Sequence, residues 1–351
     1  MDERSICRII DANFNRAREA SRVVEEFCRF ALNSEQLYER VKKLRHELSS
    51  AVGRLDSKSL LACRDTIRDV GVGKVMDEQL RRENLTDCFT AGCKRLTEAL
   101  RVLAEVVQTQ DQTAAGTLED LRYAAYTLEK DIVLFNDAVE KYKRVRLYIV
   151  ITSDFPLEII SLTDKCVAGG ADCIQMRSKS LEDDRLFATA SQFVQICKNG
   201  GVLGIINDRA DIAVAADADG VHLGQDDLPV DQVRRLQNTP LIIGKSTHSI
   251  EQLKAAIDEM PAYVGLGPVH ETSTKPGARA VGLEYVGKAT EILKDTGIGH
   301  AAIGGINIGN VDDAINAGAR TIAVCSAVTH SPDPESACRM LKQRIENFND
   351  G

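Results

Sequence analysis

A run at 175–180, "QMRSKS", sets Gln175, Arg177 and Lys179 two residues apart. On extended backbone that spacing places all three on one side, an amide and two cations suited to a polyanion. A solvated strand end is the alternative that the residue types leave open. Asp208 in "INDRA" and Asp227 in "GQDD" then offer two carboxylates, the kind of set from which Mg²⁺ draws its few protein ligands before substrate phosphate and water complete its shell. Asp is also a common helix cap, and Asp226 is taken here as the capping residue. In "GPVHETSTKPG" (267–277) Thr272, Ser273 and Thr274 supply hydroxyls and N–H groups, Lys275 a point charge, and Pro276-Gly277 a turn. Gly304 and Gly305 in "IGGIN" either expose backbone N–H groups to a second phosphate or simply turn the chain. Two phosphorylated ligands are implied. With no Cys-His or Ser-His-Asp constellation beside them, the chemistry indicated is departure of an anionic leaving group rather than covalent catalysis.

Such residues need strand ends to hold them. From residue 146 short apolar runs recur: RLYIVI (146–151), CIQMR (173–177), VLGIIN (202–207), GVHL (220–223), LIIGKS (241–246), YVGLG (263–267), AAIGGI (301–306) and TIAVCS (321–326), with amphipathic stretches between them. The runs barely alternate, as parallel strands covered on both faces do. Eight strands each followed by a helix over roughly 200 residues predict an α/β fold, a (β/α)₈ or TIM barrel, whose active site lies at the C-terminal strand ends. Every polar cluster named above falls at such an end.

The first part of the chain differs. All eight prolines lie at or after Pro156, and only five of 25 glycines precede residue 144. This predicts an all-α helical domain over 1–144 and a barrel over 145–351. Residues 1–144 hold 25 Lys+Arg and 25 Asp+Glu, so the whole net charge of −8 falls on the barrel, which argues against a nucleic-acid partner. Ten scattered cysteines without a C-x-x-C pair read as reduced core thiols. Neither a signal peptide nor an apolar run of about 18 residues is visible, which predicts a cytoplasmic protein with no membrane partner.

Within 1–144, "NRAREASRVVEE" (15–26) aligns without gaps on "KRLTEALRVLAE" (94–105), sharing Arg16/Arg95, Glu19/Glu98, Ala20/Ala99, Arg22/Arg101, Val23/Val102 and Glu26/Glu105. This suggests a duplicated helical unit. Phe14, Ala17, Ser21, Val24 and Cys28 fall on one helical face, with Arg16, Glu19, Arg22, Glu26 and Arg29 on another, a charged stripe of the kind held by i,i+3 and i,i+4 pairs. "DVGVGKV" (69–75) fails the spacing of a nucleotide P-loop and is set aside.

Taken in order, "QMRSK", "INDRADIAVAADADGVHLGQDD", "GKSTHS", "GLGPVHETSTKPGA", "AIGGI" and "AVCSAV" resemble the thiamine-phosphate synthases closely, over roughly 145–345. The resemblance implies condensation of hydroxymethylpyrimidine diphosphate with hydroxyethylthiazole phosphate, giving thiamine phosphate and pyrophosphate. It implies that Gln175, Arg177, Lys179, Asn207, Ser246 and Lys275 hold the pyrimidine diphosphate, that Asp208 and Asp227 bind one Mg²⁺ per active site, and that Thr272, Ser273, Thr274, Gly305, Cys325 and Ser326 hold the thiazole phosphate, Cys325 through its backbone amide. The implied mechanism is dissociative, with Arg177, Lys179 and Lys275 as the catalytic cations. A thiazole tautomerase-like isomerase and a phosphate-ligand sensor are the alternatives for the barrel. Both leave the diphosphate cluster without a use. "DANFNRAREASRVVEEFCRF" resembles the helical extension fused to some bacterial, notably cyanobacterial, members, for which an oligomerisation module making a homo-oligomer and a pyrimidine-phosphate kinase are the competing roles.

Overall fold

The computed structural model describes residues 3–71, 81–236, 240–272 and 279–349. Ser273, Thr274 and Lys275, and most of the 69–75 segment, lie outside the described residues. By its internal contacts the chain divides into two units, Met1–Val133 and Leu134–Gly351.

The first unit is helical: α1 (Glu3–Glu26), continued by a π-helical turn (Phe27–Ala31), α2 (Glu35–Val52), α3 (Ser57–Ala62), α4 (Leu85–Val107) and α5 (Gln112–Tyr142), whose residues from Leu134 belong to the second unit. Two N-caps explain where helices begin, since a side-chain oxygen there satisfies an orphan N–H. Ser34 accepts from Leu37 N at 3.3 Å and Asn84 from Asp87 N at 2.9 Å. Helices α1 and α4 run antiparallel, because Phe27 stacks on Phe89 with centroids 4.7 Å apart while Gly92 meets Val23 and Val24. The predicted apolar face of α1 is the packed one: Ala17, Ser21, Val24 and Cys28 are buried. The charged stripe carries the expected pairs, Arg22 to Glu25 and to Glu26 at 2.9 Å. Glu25 itself is fully buried and also takes Arg45 at 2.7 Å, a tertiary ion pair that helical periodicity does not reveal. The two repeat segments lie on these packed helices, and Arg16/Arg95, Glu19/Glu98, Ala20/Ala99 and Val23/Val102 line one groove between them.

The second unit is a closed barrel of eight parallel strands in sequence order: β1 (Leu147–Thr152), β2 (Cys173–Arg177), β3 (Leu203–Asn207), β4 (Gly220–Leu223), β5 (Ile242–Thr247), β6 (Tyr263–Leu266), β7 (Gly299–Ile303) and β8 (Ile322–Val324). Seven strands fall within a residue or two of the apolar runs. The exception is β7, which starts two residues before the predicted run and ends three before its end. Gly304 and Gly305 stop it, at φ of +109° and +66°, a left-handed backbone no strand continues through. Deep in the barrel, Tyr263 stacks on Tyr142 of α5, centroids 4.1 Å apart and planes within 3°. A Cβ at Gly244 would sit 2.2 Å from Tyr263 Cζ, so the bare glycine makes room for the ring. All ten cysteines are free and seven are buried; burial pushes the Cys28 thiol up to about 12. Among the described residues no helix is long and apolar enough to cross a membrane.

Candidate active site

In a barrel the strand residues alternate between interior and exterior, so side chains two apart on each strand meet at the axis. Thr152 on β1, Gln175 and Arg177 on β2, Asn207 on β3, His222 on β4, Ser246 on β5, Gly265 on β6, Ile303 on β7 and Ala323 on β8 line one cavity of about 590 Å³. Lys179, Asp208, Asp227, Thr272, Gly305, Cys325 and Ser326, from the loops beyond the strand ends, complete its wall. The cavity thus gathers every predicted site residue that is described; Ser273, Thr274 and Lys275 fall in the undescribed part of the loop after β6.

Arg177 sets the electrostatics. It is 6% exposed, and among the described residues no carboxylate lies within ion-pair distance of its guanidinium. Nearby Arg209 shows the contrast: its guanidinium is held by Asp183 and Asp211, each at 2.6 Å, outside the cavity. A buried charge without a protein partner is costly unless an anion compensates it. Lys245, next to Ser246 in sequence, alternates outward and pairs with Glu259 at 3.8 Å.

Lys179 is exposed, and its loop is tied down by a residue the sequence did not single out. Asp154, just past β1, accepts from Ser178 Oγ at 2.7 Å, Lys179 N at 2.8 Å and Ser180 N at 3.1 Å. The Ser178 hydroxyl and these two N–H groups hold its carboxyl down at about 2, so it stays ionised and keeps the loop in place.

The two carboxylates are not helix caps. Asp208 sits at φ +62°, and the helix that follows, Ala210–Ala215, begins after Arg209 without a side-chain cap. Asp227 Oδ2 accepts from Gly224 N, closing a turn ahead of the helix Val230–Leu236, whose first N–H is taken by Glu259 at 3.1 Å. Asp226, expected as the cap, instead lines the cavity with Asp208 and Asp227. Among the described residues no group of three or more His, Cys, Asp or Glu could hold a metal by itself. Two hard carboxylates at neighbouring strand ends, on a cavity that also holds a buried cation, fit a Mg²⁺ that relies on substrate oxygens and water for the rest of its shell.

Across the cavity, Gly304 and Gly305 turn their backbone beside the strand β8 end, where a short helix opens at Ser326 and leaves its first N–H groups without intrahelical partners. Cys325 Sγ lies 3.8 Å from Thr152 Oγ1.

Sequence reasoning also passed over the polar floor. Gln175 Nε2 donates to Tyr148 OH at 2.8 Å, Tyr148 OH lies 2.8 Å from Tyr263 OH, and His222 bridges Tyr263 OH and Ser246 Oγ, each at 2.9 Å. The signal that could have found them is position: Tyr148, His222 and Tyr263 also line the cavity, each a two-residue step from another lining residue on or just past its own strand. Polar side chains facing the inside of a barrel demand partners.

The family model for thiamine monophosphate synthase matches residues 147–328, and one described as the ThiD2 family matches 8–131. The chain is 38% identical to the thiamine-phosphate synthase of Nostoc punctiforme over 344 residues, 98% of this chain and 95% of that one. It is 37% identical to that of Prochlorococcus marinus, over 97% and 96% of the two chains. Among solved structures, the thiamine phosphate pyrophosphorylase from Pyrococcus furiosus superposes with a TM-score of 0.53 at 34% identity, covering 58% of this chain and 96% of its own. With a family model over half its length and relatives matched nearly end to end, the chain belongs to the thiamine monophosphate synthase family.

Proposed function

We propose that the barrel joins hydroxymethylpyrimidine diphosphate to hydroxyethylthiazole phosphate, making thiamine phosphate and pyrophosphate as a transferase of thiamine biosynthesis, and that it does so dissociatively. The observation that carries this reading is Arg177, a buried guanidinium without a carboxylate partner among the described residues, in a cavity it shares with Asp208 and Asp227.

Gln175 and Asn207 hold the pyrimidine end, while Arg177, Lys179, Ser246 and Lys275 hold the diphosphate. Asp208 and Asp227 would hold Mg²⁺, which when bound there neutralises charge on the diphosphate oxygens. The pyrimidine's amino group feeds electron density toward its methylene carbon. The bond from that carbon to the diphosphate oxygen breaks with its electron pair going to pyrophosphate, and the thiazole nitrogen then donates its lone pair to the carbon. Arg177, Lys179 and Lys275 stabilise the charge that grows on the leaving group, the term that usually dominates such catalysis. Thr272, Ser273, Thr274, Gly305, Cys325 and Ser326 hold the second substrate's phosphate, chiefly through hydroxyls and backbone N–H groups. Lys275 and the Thr272–Thr274 hydroxyls, adjacent in sequence, would thereby serve one phosphate each.

The test is thiamine phosphate formation by the purified chain from both substrates, with and without Mg²⁺. Mg²⁺-dependent product is expected. Folded protein that binds both substrates and forms no product would move the barrel to a phosphate-ligand sensor.

For residues 1–144 the proposed role is assembly of copies of the chain. Its support is the groove on α1 and α4, where the repeat places the exposed Val23 and Val102 among Arg16, Glu19, Arg95 and Glu98. Phosphorylation of the pyrimidine monophosphate is the competing role.

A further inference from the structure

Five side chains form one unbroken hydrogen-bond chain through the barrel interior: Gln175, Tyr148, Tyr263, His222 and Ser246. Gln175, Tyr148 and Tyr263 are at most 4% exposed, and Tyr263 is held in place by the stacked ring of Tyr142. Burial raises both phenols well above their ordinary range, so each keeps its single hydrogen.

A group with one hydrogen to give can donate in only one direction, so where each buried hydrogen finds its acceptor within the chain, the direction of one link fixes the next. When the Gln175 amide gives its N–H to Tyr148, the Tyr148 hydrogen goes to Tyr263 and the Tyr263 hydrogen to His222 Nδ1. With one proton on its ring, His222 then carries it on Nε2 and donates to Ser246 Oγ. The Ser246 hydrogen is left for the cavity, and so is the Gln175 carbonyl oxygen. Reversing any link reverses them all: Gln175 would turn its NH₂ to the cavity, and Ser246 would spend its hydrogen on His222. The two ends therefore present an acceptor at Gln175 with a donor at Ser246, or the opposite.

We propose that Tyr148, Tyr263 and His222 are positioning residues that couple the two ends of the pyrimidine diphosphate site. The amino group of the pyrimidine needs an acceptor, and a diphosphate oxygen needs a donor. Both demands select the same polarity of the chain, so recognition of the heterocycle at Gln175 and of the diphosphate at Ser246 strengthen one another. A pyrimidine bearing an oxo group in place of the amine selects the opposite polarity and forfeits the Ser246 donor. This inference rests on the substrate site proposed above.

The test is a mutant cycle read in kcat/KM for the pyrimidine diphosphate. Gln175→Ala, Ser246→Ala and the double variant are measured in the wild-type chain and again in Tyr263→Phe, which keeps the ring on Tyr142 and removes only the hydroxyl. In the wild-type background the double variant should lose less than the product of the single losses, by about fivefold or more; in Tyr263→Phe the single losses should multiply to within about twofold. Tyr148→Phe breaks a different link and should abolish the coupling equally, and it carries the test should Tyr263→Phe fail to fold. General loosening of the site would lower every variant by a similar factor and leave the coupling intact. Coupling that persists in both phenylalanine backgrounds overturns the relay while leaving the site standing. If Gln175→Ala or Ser246→Ala alone leaves kcat/KM unchanged, the site assignment fails and the relay with it.

Discussion

Arg177 shows how a single residue joins folding to chemistry. The barrel buries its guanidinium, and among the described residues no protein anion answers it, so its charge is available to a ligand rather than to stability. Arg177→Ala should therefore lower kcat by about 10²–10³, the scale of losing one preorganised donor to developing negative charge. Steady-state kinetics at saturating Mg²⁺ checks this, and a raised KM with unchanged kcat would confine Arg177 to binding the ground state. Lys275→Ala should lose far more kcat than affinity for the thiazole phosphate, a contrast that kinetics in the second substrate measures directly. Residue types and two-residue spacing were enough to bring Gln175, Arg177 and Lys179 together on paper, because strand periodicity alone decides which side they share. Asp154 could not be read that way. Its three bonds cross from one strand-end loop to the next, and nothing near Asp154 in the sequence marks the meeting.

At the scale of elements, the strands hold the site by close approach. Because a Cβ at Gly244 would fall 2.2 Å from the Tyr263 ring, Gly244→Ala should destabilise the barrel by about 1–3 kcal/mol, as overpacking of a tight core does. Urea unfolding of the two proteins measures it, and an unchanged midpoint would mean that the Tyr263 ring is free to move aside. On the outer side of β7, burial pushes His300 down to about 4 from an ordinary 6.5, and its Nε2 accepts from Arg320 N at 3.0 Å. The folded state keeps this ring neutral where the unfolded chain protonates it. Between about pH 6.5 and 4 the unfolded state therefore binds more protons, and stability falls as pH falls through that window. His300→Gln should flatten this slope, which urea midpoints taken across the window would show; an equal slope would place the acid sensitivity elsewhere.

For the whole molecule, the division after Val133 permits a direct separation of roles. A chain lacking residues 1–133 should keep the condensation activity and sediment as a monomer, against a larger assembly for the intact chain. Loss of ATP-dependent use of the pyrimidine monophosphate, with sedimentation unchanged, would favour the kinase instead. Prolines confined to the later residues, and glycines concentrated there, already marked the change from long helices to a barrel, and the order of apolar runs set eight strands in register with their loops. These are local matters: turn chemistry and hydrophobic periodicity act over a few residues, so they are written in the sequence itself. What only the tertiary structure decided is what meets across the axis and between helices. The Tyr148–Tyr263–His222 chain joins three strands, Glu25 finds Arg45 on another helix, and Asp226 turns into the cavity instead of capping the helix after it. Each depends on closure or packing that brings distant residues within hydrogen-bond reach, and no spacing along the chain encodes such a distance.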